Sequence, residues 1–178
     1  MKRAFPKMYQ SALVALWFAM FPAFLSAQGH DEGGAPVRYS TASLCGNYGA
    51  VATYGANVAR ALGFEVMDGR GKISGAAFVN QPGPDNTTRT VATIGISGTY
   101  TINAEGMGSM NLTIALPGGG TANVTEDFVI TKSKSVDGIA IATEVQDAQE
   151  VPSAVIDDSS LVIHAYTLRG TPRACSPH

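Results

Sequence analysis

Residues 92 to 116 read A-T-I-G-I-S-G-T-Y-T-I-N-A-E-G-M-G-S-M-N-L-T-I-A-L, and their period decides the fold. Ala92, Ile94, Ile96, Gly98, Tyr100 and Ile102 are apolar or small, with Thr93, Gly95, Ser97, Thr99, Thr101 and Asn103 between them. Beyond a glycine-containing break, Met110, Leu112, Ile114 and Leu116 alternate with Ser109, Asn111, Thr113 and Ala115. Val124, Phe128 and Ile130 do the same against Asn123, Thr125, Asp127 and Thr131. Period two with β-branched enrichment predicts strands buried on one face, joined by tight turns.

Less regular runs at 46–54, 62–68, 72–80, 138–146 and 159–169 bring the expected total to eight strands. Turn-forming clusters separate them: Gly55-Ala-Asn57, Gln81-Pro-Gly-Pro-Asp-Asn86, Pro117-Gly-Gly-Gly120 and a longer segment from Asp147 to Asp158. The only helix candidate is Val58-Ala-Arg-Ala-Leu62, one turn at most. Two turns resemble each other, Asp68-Gly-Arg-Gly71 and Glu105-Gly-Met-Gly108, each an acid followed by Gly-x-Gly; Asp137-Gly138 is a weaker relative. In an up-and-down arrangement all three lie at one end, and the longer connections 81–89 and 147–158 lie at the other, like a mouth. An even strand number also returns both ends of the domain to the tight end, where Cys45 and Cys175 would meet. The expected fold is all-β, an eight-stranded antiparallel up-and-down barrel, with a two-sheet β-sandwich as the alternative.

Cys45-Gly-Asn-Tyr-Gly49, Asp68-Gly-Arg-Gly-Lys-Ile-Ser-Gly75 and Gly98-Thr-Tyr-Thr-Ile-Asn-Ala-Glu-Gly-Met-Gly108 resemble the secreted bacterial proteins with an allene oxide cyclase-like, calycin-like barrel, over most of residues 45 to 170. The resemblance implies a barrel with an apolar interior. In the plant cyclases of that barrel family, an unstable fatty-acid epoxide is cyclised in such a cavity without a cofactor. The family's catalytic positions have no residue-by-residue counterpart here, so the resemblance speaks to fold more than to activity.

The N-terminus sets the compartment. Lys2, Arg3 and Lys7 precede an apolar run from Ser11 to Leu25, followed by the small residues Ser26, Ala27 and Gly29. This is the build of a secretory signal peptide, 1–27, with cleavage near Ala27. Residues 28–43 read as a flexible leader and 44–178 as a single β-barrel domain, secreted or periplasmic, with no membrane span once the signal is removed. With two cysteines, no CxxC and an oxidising compartment, a Cys45–Cys175 disulfide is expected.

Charged residues are 15% of the chain and the net charge is −2, with no basic cluster outside the N-terminus, which excludes a nucleic-acid partner. An outer-membrane barrel is discounted because the mature strands hold few aromatics and face outward with Thr, Ser and Asn. No G-x-S-x-G, Walker loop, H-E-x-x-H or EF-hand spacing occurs, and neither glycine pair completes G-x-G-x-x-G. No metal site and no cofactor are expected.

Interior candidates come from strand phase. Glu126 shares a face with Val124, Phe128 and Ile130, where a carboxylate would serve as a general acid/base or polar anchor; a bulge after the Gly-rich turn would instead turn it into water. His164 and Tyr166 share a face of the last strand with Val162 and Leu168, but both faces are apolar and phase does not choose between them. The catalytic candidates are therefore Glu126 and His164, and the ligand-binding candidates Tyr48, Tyr54, Tyr100, Phe128 and Tyr166. Glu144 is read as an outer, solvated residue. The leading expectation is a barrel that binds a small, mostly apolar molecule. Alternatives are a cofactor-free isomerase or cyclase and a structural or interaction protein of the envelope, with homo-oligomerisation through outer faces possible.

Overall fold

The computed structural model describes residues 36–54, 59–83, 85, 87–150 and 161–175. The expected signal peptide and half of the expected leader, 28–35, lie outside these residues. The strands are β1 (Cys45–Tyr54), β2 (Ala59–Asp68), β3 (Lys72–Pro82), β4 (Arg89–Ile102), β5 (Met107–Ala115), β6 (Thr121–Val136), β7 (Ile139–Gln149) and β8 (Val162–Leu168). Each pairs antiparallel with the next, and β8 pairs with β1 from Tyr48↔Leu168 to Tyr54↔Val162. The sheet is a closed eight-stranded barrel, and the sandwich alternative is excluded. Closure leaves no unpaired edge among these strands.

Two segments depart from the expectations. Ala59 to Leu62, within the helix candidate, belong to β2. Ala59 and Ala61 are buried while Arg60 and Leu62 face out, a period of two that sheet pairing enforces over local helix propensity. At the other side, β7 runs to Gln149, so Asp147 is a strand residue rather than the start of a loop.

The tight end carries the predicted hairpins, but their likeness has a different basis. Asp68 Oδ1 accepts hydrogen bonds from the backbone N–H groups of Arg70 and Lys72 at 2.8 and 2.9 Å. In the second hairpin Asn103, not Glu105, plays this part, accepting from the N–H groups of Glu105 and Met107 at 3.1 and 3.0 Å. The equivalent residues are thus Asp68 with Asn103 and Gly71 with Gly106, each glycine at positive φ of 98° and 88°. An Asx side chain bridging to residues i+2 and i+4 is the common device.

The same end is stoppered from inside. A single 3₁₀ turn, Thr41–Ser43, precedes β1, and the Tyr100 hydroxyl donates to the carbonyls of Thr41 and Leu44 at 2.9 and 3.0 Å. The Tyr48 hydroxyl donates to the Ala142 carbonyl at 2.9 Å, and Leu44 is fully buried. Cys45 and Cys175 form the disulfide here, spanning 130 residues, as expected for a protein of an oxidising compartment. Among the described residues no helix is long and apolar enough to cross a membrane.

The outer surface is not uniform. Thr93, Ser97, Thr99 and Asn111 make β4 and β5 polar outside, as their alternation predicts. On the neighbouring strands the outward residues Ile163, Val51, Leu62, Phe64, Val66 and Phe78 are exposed and apolar, contrary to the expectation of a Thr/Ser/Asn exterior. These are the less regular strands, in which both phases carry apolar residues.

The disulfide links the seam strands beyond their last hydrogen bonds. Replacing Cys45 and Cys175 by Ala should lower unfolding free energy by about 2–4 kcal/mol in urea titrations, from the entropy restored to the unfolded chain. An unchanged midpoint would show that β1–β8 pairing alone holds the ends.

Candidate functional site

Inward positions near the middle of the barrel are filled unusually. On β1, β2 and β3 they are small: Ala52, Ala61, Gly63, Gly75 and Ala77. Gly75 pairs with Glu65, and a Cβ added to Gly75 would stand 3.0 Å from Glu65 Cγ, so its bare backbone admits that side chain. From β6, β7 and β8 come Glu126, Asp147, Gln149 and His164. Glu65, Glu126, Asp147 and Gln149 are all buried, with Glu126 only 1% exposed.

Asp147 is the hub. Its Oδ1 lies 2.7 Å from His164 Nδ1 and accepts the His164 backbone N–H at 2.9 Å, while Oδ2 accepts the Tyr166 hydroxyl at 2.7 Å. The β7–β8 register fixes this, because Asp147 pairs directly with His164. Glu126 Oε1 stands 3.7 Å from His164 Nδ1, an ionic distance rather than a hydrogen bond. Glu126 Oε2, Glu65 Oε2 and Gln149 Oε1 are buried and have no hydrogen-bond partner in the protein. Each such group carries a desolvation cost of order 1–3 kcal/mol.

The charges divide accordingly. Burial pushes Glu126 up to about 8, against the pull of His164, with Asp147 and Glu65 adding to the rise. Burial likewise raises Glu65 to about 7, opposed by His164. Burial would also raise Asp147, but the hydrogen bond and charge of His164, with hydrogen bonds from Glu126 and Tyr166, hold it below the ordinary carboxylate range. For His164 burial works downward and is outweighed by Asp147, then Glu126 and Glu65, bringing it to about 9. At neutral pH the centre is an aspartate–imidazolium pair beside a protonated Glu126. A neutral acid beside an imidazolium supplies two proton donors at neutral pH, each able to take a proton back once it has given one up.

Glu65, Glu126, Gln149 and His164 line one side of an internal space of about 30 Å³, walled otherwise by Ala52, Tyr54, Ala61, Ala77, Ile94 and Ile114. These wall residues lie in the half of the barrel toward the long connections, the end expected to be the mouth. The connecting residues 55–58 and 151–160 lie outside the described residues.

The site candidates therefore separate. Glu126 and His164 come together in one cluster, with Tyr166 bonded to its hub and Tyr54 on the wall. Burial first, then the charge of Glu126, raises the Tyr54 phenol to about 12. Tyr48 and Tyr100 serve the stopper at the tight end, and Phe128 is a core ring packed over Gly108. Glu144 lies outside, 3.1 Å from Lys132. The bulge invoked for Glu126 exists further along β6, between Ile130 and Ser133, and leaves its inward phase intact.

Asp147, Glu65 and Gln149 escaped the sequence reading. Asp147 and Gln149 continue the inward phase of Val145, a signal obscured by the turn-like composition that follows. Glu65 lies inside the expected strand 62–68, but the opposite phase, Leu62, Phe64 and Val66, is apolar, so alternation alone points Glu65 outward. Asp147 also completes, with Glu126 and His164, a set whose potential ligand atoms lie within 4.8 Å of one another. No family model, curated protein or solved structure matches this chain.

The raised groups give stability a definite pH dependence. Glu65 and Glu126 favour the fold fully below the ordinary glutamate value of 4.5, and that contribution is lost as pH rises through about 7 for Glu65 and about 8 for Glu126. His164 adds a contribution present below 6.5 and lost as pH rises through about 9. In chelator-containing buffer, urea stability should fall from pH 5 to 9. Glu126→Gln should flatten the fall below pH 8 and be more stable than wild type above it, by about 1–3 kcal/mol. Parallel curves for the two proteins would contradict a buried, protonated Glu126.

Proposed function

We propose that the chain is a secreted or periplasmic barrel protein that takes a small, mostly apolar molecule end-on through its long-connection end, seating a polar head group against Glu126, Glu65 and His164. The observation that carries this is the set of unpaired polar atoms, Glu126 Oε2, Glu65 Oε2 and Gln149 Oε1, on residues around an otherwise apolar internal space. Binding sites commonly join a largely apolar wall to a few convergent polar groups, and this interior has that composition.

The size of the space refines the ligand. About 30 Å³ holds roughly one water-sized group, so it fits a head group and not a whole molecule. The apolar body would lie against Ile94, Ile114 and Tyr54 toward the mouth. Glu126, neutral at pH 7, offers both a donor and an acceptor, which suits a hydroxyl or carbonyl better than an anion. The signal-like N-terminus and the disulfide support the compartment. The allene oxide cyclase-like resemblance points the same way, toward an apolar ligand.

A calorimetric panel of medium-chain alcohols, ketones and matching alkanes tests this. Alcohols or ketones should bind while alkanes of equal length bind at least tenfold more weakly. Glu126→Leu should weaken head-group binding tenfold or more, about 1.4 kcal/mol, and Ala61→Leu should abolish it by filling the space. Failure of every compound to bind, or binding indifferent to Ala61→Leu, would overturn the proposal.

A further inference from the structure

We propose that Glu126, Asp147 and His164 form a site for one divalent first-row metal ion of the zinc class inside the barrel. They stand on three consecutive strands, β6, β7 and β8, so the ladder and not a loop sets their spacing. Their potential ligand atoms lie within 4.8 Å of one another. The separations from His164 Nδ1, 2.7 Å to Asp147 Oδ1 and 3.7 Å to Glu126 Oε1, bracket the ~3.3 Å edge of a tetrahedron with ~2.0 Å bonds. Side-chain adjustments of under an ångström along these two edges would therefore suffice.

A buried acidic cluster alone would not identify a cation site. Here Glu126 Oε2 and Glu65 Oε2 also lack any hydrogen-bond partner in the protein, on side chains 1% and 2% exposed. Both residues line the internal space, together with His164 and Gln149. Three carboxyl groups surround a single imidazole, and a dication can take the place of the protons they share, which a water molecule cannot. One imidazole nitrogen with carboxylate oxygens is a zinc-type donor set, and Glu65 stands ready as a further oxygen ligand.

The outer contacts suit the role as well. The Tyr166 hydroxyl holds Asp147 Oδ2 at 2.7 Å, leaving Oδ1 turned to the imidazole. Hydrogen bonds of this kind orient metal ligands and commonly affect affinity 10–100-fold. On binding, the ion takes the place of the proton between His164 Nδ1 and Asp147, and that proton, with any carried by Glu126, leaves to solvent. The proposal shares residues with the organic-ligand reading but does not rest on it.

The test uses the whole protein, stripped with chelator, dialysed, and titrated with zinc chloride by calorimetry, with bound metal measured after desalting. One ion per chain and a raised melting temperature are expected. Glu126→Gln, a near-isosteric change to a residue that needs no charge to fold, should weaken binding at least tenfold, and Tyr166→Phe about 10–100-fold. Replacing His30 and His178 by Ala should leave binding unchanged. No uptake, equal affinity in Glu126→Gln, or loss on removing the two terminal-region histidines would overturn the site. Binding of the alcohol and ketone panel to the stripped protein is read separately, so either proposal can fail while the other stands.

Discussion

The pairing of β8 with β1 is the constraint on which the rest of the structure depends. It converts an open sheet into a barrel, removes the two free edges and brings the ends of the domain to the Cys45–Cys175 bridge. It also fixes the phase of the last strand. With Tyr54 opposite Val162 and Ala52 opposite His164, the inward set of β1 meets Val162, His164 and Tyr166, and Ile163 and Ala165 are sent outward. A slip of one residue would exchange these sets, exposing the imidazole and burying nothing able to bond Asp147.

Closure explains why the polar cluster persists. An eight-stranded barrel is narrow, and opposing side chains fill its interior. Large residues at the tight end, Tyr48, Tyr100, Leu44 and Met67, do so and spend their hydroxyls on backbone carbonyls. Higher up, small residues on β1 to β3 leave room that Glu65, Glu126, Gln149 and His164 enter from around the wall. An apolar filling of similar volume would be at least as stable, because buried ionic groups seldom repay their desolvation. Retaining two buried carboxyl groups, Glu65 and Glu126, each with an unsatisfied oxygen is a cost to folding, offset elsewhere by the sheet, the stopper and the disulfide.

The sequence announced the architecture where one strand face is polar. Ala92 to Leu116 and Val124 to Ile130 alternate cleanly, and their turns occur where glycine and Asx residues predict. Glu126 was legible for the same reason: its phase is defined by apolar neighbours on both sides. His164 was not, because Ile163 and Ala165 are as apolar as Val162 and Tyr166, and only the register with β1 and β7 assigns its face. Asp147 was lost near the end of β7, where turn-like composition follows, and Glu65 because the opposite phase of β2, Leu62, Phe64 and Val66, is the more apolar one. The hub of the site is thus a property of three strands meeting, and no local window contains it.

That origin limits what single residues can reveal about the site. Asp147 is ionised because it accepts bonds from the His164 backbone, the His164 ring and Tyr166, all from β8, whereas Glu126, a few ångströms away on β6, accepts none from them. Two carboxylates of like burial therefore take opposite protonation states through hydrogen bonding, not through depth. The asymmetry is built into the β7–β8 register, since any residue at position 147 faces position 164 directly. Whatever occupies the interior meets a charged pair on one wall and a neutral acid on the next. A head group that donates to one and accepts from the other, or a cation that displaces the protons of both, is matched by that arrangement; an alkyl chain in contact with the cluster is not.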